Sequence, residues 1–372
     1  MNDMTPIKET TLEINLNALA HNYTYLRSHI ANSVKFMGVV KAYAYGSESL
    51  VIAKKLIALG ADRLAVSYSY EGVELRQAGI AYPILVFHPQ PMHFEDIIKH
   101  KLTPTLYSMR TLEAFIKTAE AQHIKAYPVH LNLNTGMNRL GFNPEDLEAV
   151  KAKLKHTEAI KVEGLYSHFA ASEDPEERAF TQRQIDRFKQ MTTELISDLP
   201  ERPILHLCNT SGILNYPEAH FDMVRTGIGL YGYGNSPAAD KALQPVTTLK
   251  TPITEIHYLK KGETVSYNRR FTAQRESKIA VLALGYADGL YRAYGNTNGS
   301  VLVRSQKAPI IGNICMGITM VDVTDIPCQE GEEVILFGAD FPATINAERI
   351  NTISYELITA VSQRVKRKVV SE

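Results

Sequence analysis

An alternation of local patterns constrains this chain more than any other feature. Between residues 35 and about 228, short β-rich runs take turns with amphipathic helical stretches. Repeated βα units of this kind build a parallel sheet, because a strand reaches a parallel neighbour only through a long crossover, usually helical. Eight runs qualify: "KFMGVVK" at 35–41, "RLAVSY" at 63–68, "PILVF" at 83–87, "TPTLY" at 103–107, "YPVHLNLN" at 127–134, "KVEGLYSHF" at 161–169, "PILHLCN" at 203–209 and "DMVRTG" at 222–227. Eight parallel strands with helices between them favour a closed (β/α)8 barrel over an open sheet. The connections agree. "SESLVIAKKLIALG" places apolar residues at 50, 52, 53, 56, 57 and 59, a core-facing stripe, and Gly60 suits its C-terminal stop. "PEDLEAVKAKL" opens on Pro144 with acids in its first turn. Only "TSGILNYPEAH", between the last two strands, is a weak helix.

After Gly229 the pattern changes to strands and turns: "GETVSYN", "KIAVLALGYADG", "SVLVRSQKAPIIG" and "EEVILFG", with no strong helix until "NAERINTISYELITAVSQRV". The expected architecture is therefore α/β in class, a TIM-like (β/α)8 barrel domain over residues 1–240 followed by a mainly β C-terminal domain over 241–372. A strand near 11–16, followed by a helix, falls outside the count of eight and is expected to pack with the C-terminal domain.

Charge narrows the partners. Lys plus Arg and Asp plus Glu both number 40, so no net field draws the chain to nucleic acid or an anionic membrane, and a small-molecule substrate is expected. The first ten residues show neither a basic start nor an apolar leader, and no apolar run approaches the ~18 residues of a membrane helix. The expected location is the cytoplasm. Cys208, Cys315 and Cys328 are too few and scattered for a disulfide framework, and the 12 histidines show no metal-ligand spacing, so no metal is expected.

Active sites of (β/α)8 barrels lie at the C-terminal ends of the strands. On the first strand that end is Lys41; on the fifth, Asn132 and Asn134, with Arg139 beyond; on the sixth, His168; on the seventh, Asn209; on the eighth, Arg225. Singly, each reads as well as a satisfied core group or a surface charge. Together they place a lysine among cationic neighbours at one mouth, where burial and like charge would free its amine to form a Schiff base with an aldehyde. The loops after the last two strands, "NTSG" at 209–212 and "RTGIGLYG" at 225–232, have the small residues that let a phosphate approach backbone N–H groups. An aldehyde that also carries a phosphate suggests pyridoxal 5′-phosphate.

The runs "VVKAYAYGSE", "HLNLNTGMNRLGF", "VEGLYSHFAASEDP", "FDMVRTGIGLYG", "VSYNRRF", "LGYADGLYR", "APIIGNICM" and "NTISYELIT" resemble, in order and over nearly the whole chain, the motifs of alanine racemases. The resemblance implies a pyridoxal-phosphate-binding barrel, a mainly β second domain, and a head-to-tail homodimer in which each β domain completes the partner's site. It makes Lys41 the Schiff-base lysine and Tyr267 the second catalytic base, supplied by the other subunit. It puts Tyr45, Thr210, Gly227, Ile228 and Tyr355 around the phosphate, with Asn209 beside them. Arg225 would face the pyridine nitrogen, and Arg139 the cofactor's phenolic oxygen and the substrate carboxylate. His168 would link Arg225 to Tyr267, and Met316 of the other subunit would offer its backbone to the carboxylate. The implied reaction interconverts L- and D-alanine, supplying D-alanine for peptidoglycan.

Two acid–base groups on opposite faces suit a racemisation, and an arginine that keeps its proton leaves the pyridine nitrogen unprotonated, a weak electron sink that discourages transamination. The chain departs from the family pattern at three places. Asn132 stands where many members carry a carbamylated lysine, which suggests that a bound anion such as chloride compensates Arg139. Gly317 removes the carboxylate of the usual "CMD", and Tyr43 replaces the asparagine of "KANAYG". Three other readings compete. A decarboxylase on this architecture would be expected to set an acid against the pyridine nitrogen. A serine racemase would differ only in pocket volume and one hydroxyl partner. A cofactor carrier would need neither the β domain nor Tyr267.

Overall fold

The computed structural model describes residues 8–371. Residues 1–7, which bear on the leader expectation, lie outside the described residues. The first strand, β1 (Thr11–Asn15), leads into a helix, Leu16–Ser28, capped by the Asn15 side chain accepting from Asn17 N–H and Ala18 N–H. Eight strands then follow: β2 (Lys35–Val39), β3 (Arg63–Val66), β4 (Ile84–Val86), β5 (Thr103–Leu106), β6 (Tyr127–Asn132), β7 (Ile160–Tyr166), β8 (Ile204–His206) and β9 (Met223–Thr226). All neighbouring pairs in the order 8-7-6-5-4-3-2-9 are parallel. Two backbone bonds between the outer strands' ends, Asp222 N–H to Leu205 O at 3.0 Å and Arg225 N–H to Cys208 O at 3.1 Å, complete the ring. The expected (β/α)8 barrel is what forms.

The helix Ser49–Ala58 shows why its sequence folds so. Its buried residues, Ile52, Ala53 and Leu56, repeat at helical spacing, and Leu56 Cδ1 lies only 2.8 Å from where a side chain at Gly38 would begin. β2 thus stays free of bulk where this helix presses on it. Because Leu56 is fully buried, Leu56→Ala is expected to cost about 2–5 kcal/mol of stability. The check is a lowered urea midpoint, and a loss below ~1 kcal/mol would separate this helix from the cooperative core.

The second sheet is built on β10 (Thr247–Leu259), whose 13 residues are long enough to pair differently at each end. Its first half pairs with β1 and with Glu333–Phe337, and its second half with Ser277–Leu282. β1 also lies parallel to the strand Lys366–Ser371, so the first and last described strands join one sheet. The helical pattern expected over 346–365 divides into two short helices, Ala343–Arg349 and Ser354–Thr359. Asn351 separates them at φ 56°, a left-handed stop that asparagine tolerates. The weak pattern before β9 gives the helix Thr210–Asn215 and a 3-10 turn, Pro217–Ala219.

Candidate active site

A cavity of about 580 Å³ opens at the C-terminal ends of the barrel strands, a size suited to a small cofactor with its substrate. Lys41, Tyr45, Asn132, Asn134, Arg139, His168, Asn209, Thr210, Arg225, Gly227, Ile228 and Tyr355 all line it. The strands end slightly earlier than their sequence patterns do, so that Lys41 stands two residues past β2 and His168 two past β7. Short strands leave these residues in the loops that frame the mouth.

Lys41 is presented by an unusual turn. Ala42, Tyr43, Ala44 and Tyr45 all lie in the left-handed region, at φ 53°, 54°, 51° and 55°, and Gly46 follows at φ 81°. The left-handed conformation costs a non-glycine residue roughly 1–2 kcal/mol, so four in succession require outside support. Burial lowers the Lys41 ammonium pKa, Arg139 adds like-charge repulsion, and the Glu71 carboxylate pulls the other way. The expected crowd of cations therefore reduces, for Lys41, to one arginine opposed by one acid.

Arg225 is buried and tightly held. Nη1 donates to His206 O at 3.1 Å and Nη2 to Ser167 O at 2.7 Å and Leu207 O at 3.1 Å. Nη1 also meets His206 Nδ1 at 2.8 Å, and Nη2 meets His168 Nδ1 at 3.1 Å. A guanidinium only donates, so both imidazoles accept at Nδ1 and carry their protons on Nε2. His206 Nε2 then donates to His130 Nδ1 at 2.9 Å, and His130 Nε2 stands 3.4 Å from Glu163, which a bidentate Arg63 also grips. Burial pulls the Arg225 guanidinium down to about 10, still protonated at neutral pH.

Burial and the Arg225 charge push His168 and His206 well below the ordinary histidine value of 6.5, and burial also lowers His130. Below pH 6.5 the unfolded chain takes up protons that these folded imidazoles refuse. Stability therefore falls as pH falls, by up to about 1.4 kcal/mol per pH unit for each histidine. Glu163, held low against burial by His130 and Arg63, adds a loss of the same sign beneath its ordinary 4.5. Thermal midpoints measured from pH 7.5 to 5 should decline with a slope that shrinks in His206→Asn.

The other end of the cavity is rich in neutral donors. Tyr45 stacks on Tyr231 with ring centroids 4.5 Å apart, and its hydroxyl sits 2.0 Å from where a side chain at Gly227 would begin. Only glycine fits there. Asn209 caps the helix Thr210–Asn215 by accepting from Gly212 N–H at 2.8 Å, leaving the first N–H groups of that helix at the cavity wall. Thr210 Oγ1 lies 3.1 Å from Thr226 Oγ1, and Asn235 donates to Tyr355 Oη at 2.8 Å. Hydroxyls, a glycine-lined loop and a helix start suit a phosphate, and an amine with lowered pKa suits an aldehyde, so the donor set fits pyridoxal 5′-phosphate.

Two expected residues stand apart from this cavity. Tyr267 is 70 % exposed and borders a separate apolar groove with Leu259, Val265, Cys315, Ile318 and Met320, while Met316 is 61 % exposed nearby. Ser266 at φ 73° and Asn268 at φ 58° bracket Tyr267, and Asn313 holds its carbonyl. An exposed phenol on so constrained a turn is aimed outward. Conversely, His206, Tyr166 and Asn235 belong to the site without having been read from the sequence. His206 is the next-to-last polar residue of "PILHLCN", but its link to Arg225 crosses strands and has no signature in sequence.

Fold and site together define a (β/α)8 barrel whose strand-end cavity gathers an amine, two guanidiniums and a loop suited to a phosphate. The family description "Alanine racemase, N-terminal domain" matches residues 14–235, and "Alanine racemase, C-terminal domain" matches residues 246–369. The chain belongs to the alanine racemase family. It is 38% identical to an alanine racemase of Thermodesulfovibrio yellowstonii, with 97% of both chains covered. Among solved structures, an alanine racemase of Clostridium difficile 630 superposes with TM-score 0.91 at 34% identity, covering 99% of this chain and 97% of that one. One from Bartonella henselae, solved with covalently bound pyridoxal phosphate, gives TM-score 0.88 at 28% identity over 98% of this chain and all of that one.

Proposed function

We propose that this chain interconverts L- and D-alanine with pyridoxal 5′-phosphate held by Lys41, each site being completed by a second copy. The observation that carries this reading is the meeting of Lys41, His168, Arg139 and Arg225 at one barrel mouth, in a chain that matches the racemase family through both its parts. When bound, the cofactor supplies an electron sink that acidifies the substrate's Cα–H bond. Tyr45, Thr210, Gly227, Ile228 and Tyr355, beside Asn209, would hold the phosphate end, and Arg225 would lie against the pyridine nitrogen. Lys41 takes or returns the Cα proton on one face, and burial, which lowers its pKa, favours the free amine.

On the opposite face the partner subunit's Tyr267 does the same. The Nε2–H of His168, fixed by Arg225, is set to donate toward that phenol. Arg139 binds the substrate carboxylate, together with the backbone of the partner subunit's Met316. The exposed Tyr267, its rigid turn and the adjoining apolar groove support the homodimer. The domain boundary falls near residue 240, supported by the gap between the last barrel strand, ending at Thr226, and β10, beginning at Thr247. Among the described residues no helix is long and apolar enough to cross a membrane, and the reading places the enzyme in the cytoplasm, supplying D-alanine for peptidoglycan.

The test is Cα hydrogen–deuterium exchange of L-alanine and L-serine in D2O, read with formation of the D-enantiomers. Rapid D-alanine formation with much slower D-serine supports the reading; loss of carboxylate, or exchange without any D-product, rejects it. Anion compensation at Arg139 has its own check. Crystals grown in bromide should show an anomalous peak beside Asn132 and Arg139, and a clean map there removes the idea.

A further inference from the structure

Immediately after Lys41 the chain enters its left-handed turn, which prevents the Ala42 N–H from joining the ladder of β2. That N–H instead donates to Glu71 Oε1 at 2.5 Å. Glu71 is buried, and its other oxygen accepts Ser67 N–H at 2.7 Å and Tyr68 N–H at 2.8 Å, both at the end of β3. One carboxylate thus ties the lysine's turn to the neighbouring barrel strand. At the far end of the turn a second charged side chain takes over. Arg367, on the final strand, donates to Gly46 O at 2.9 Å and Ser47 O at 3.2 Å, and its remaining donors go to Val361, Ser362 and Val365 carbonyls. Gly46 itself is pressed so close to Ile358 O that a side chain there would begin 2.1 Å away.

We propose that Glu71 and Arg367 are positioning residues for Lys41, an acid and a base that clamp the N–H and C=O sides of the left-handed turn and so fix where the amine is delivered. The inference rests on Lys41 holding the cofactor. The clamp explains how four strained residues persist: a carboxylate is the one side chain that accepts at both oxygens, and a guanidinium the one that forks to several carbonyls. It also joins the catalytic lysine of the barrel to the last strand of the second sheet.

The test uses holoenzyme carrying Glu71→Gln, Arg367→Lys, or Asp62→Ala, the last removing the acceptor of Phe36 N–H at the N-terminal ends of β2 and β3, opposite the mouth. Three quantities are read: kcat and KM for alanine, the thermal midpoint, and the rate at which hydroxylamine displaces the Lys41 amine from the cofactor, followed by loss of visible absorbance. Gln keeps one acceptor oxygen and turns an NH2 toward the amides, so Glu71→Gln should lower kcat roughly tenfold or more with KM within about threefold. Cofactor release should quicken roughly fivefold in Glu71→Gln and about threefold in Arg367→Lys, which keeps the charge and loses the fork. Asp62→Ala should lower the thermal midpoint comparably while leaving kcat and release as in the parent. If Glu71→Gln and Arg367→Lys change only the thermal midpoint, both residues are merely structural and the proposal fails. Borohydride fixation of the parent enzyme with the cofactor on a lysine other than Lys41 would instead remove the underlying reading.

Discussion

Lys41→Ala is expected to lower alanine racemisation in both directions by roughly 10⁴-fold or more, because in the proposed function one side chain both holds the cofactor and moves a proton. The symmetry is part of the expectation. A group that removes the Cα proton from one enantiomer must return it when the reaction runs backwards, so neither direction can be spared. The visible absorbance of the lysine-bound cofactor should vanish together with activity. Folding should survive, since the Lys41 ammonium is disfavoured where it sits and the turn around it is held by Glu71 and Arg367 rather than by the lysine. A thermal midpoint near the parent's, with activity gone, is the expected pair of results. Residual racemisation above about 1% would mean that another group performs the one-face transfer.

The second large effect concerns Tyr267. Tyr267→Phe removes one hydroxyl, yet it should cost racemisation roughly 10³-fold while leaving some Cα exchange of one enantiomer through Lys41 alone. Because Tyr267 stands exposed and apart from the Lys41 cavity in its own chain, the two inactive variants should rescue one another. In an equal mixture that has exchanged subunits, half of the dimers are mixed. Each of those has one intact site of two, so about a quarter of the parent activity should return. Recovery at that level assigns the two bases to different copies. No recovery after verified subunit exchange would place both bases in a single chain and require Tyr267 to move.

The barrel was legible because it depends on local patterns. Eight runs of β-rich sequence, spaced by helical stripes such as Ile52, Ala53 and Leu56, leave few other topologies open, and the rule that barrel sites lie at strand ends then selects Lys41, Asn132, His168, Asn209 and Arg225. The helix pattern near the C-terminus was harder to read. Asn351 interrupts it with a left-handed residue, and nothing in the apolar spacing records a backbone angle. Glu71 is harder still: in sequence it is an acid in the first turn of a helix, a common helix-start feature. Its bond to Ala42, 29 positions away, exists only because β2 and β3 are neighbours.

The sequence by itself determined the order of elements, the barrel class, the family, and the chemical types gathered at the mouth, because these follow from periodicity and from residues at strand ends. The tertiary structure decided the rest: the left-handed turn that presents Lys41, the fixed tautomers that run from Arg225 through His206 to His130, and the outward placement of Tyr267 away from the site it was expected to serve. The physical reason is range. Hydrophobic period acts over one or two turns of chain, whereas a buried carboxylate or guanidinium is satisfied by whatever donors and acceptors the fold brings within ~3 Å, however far apart they are in sequence.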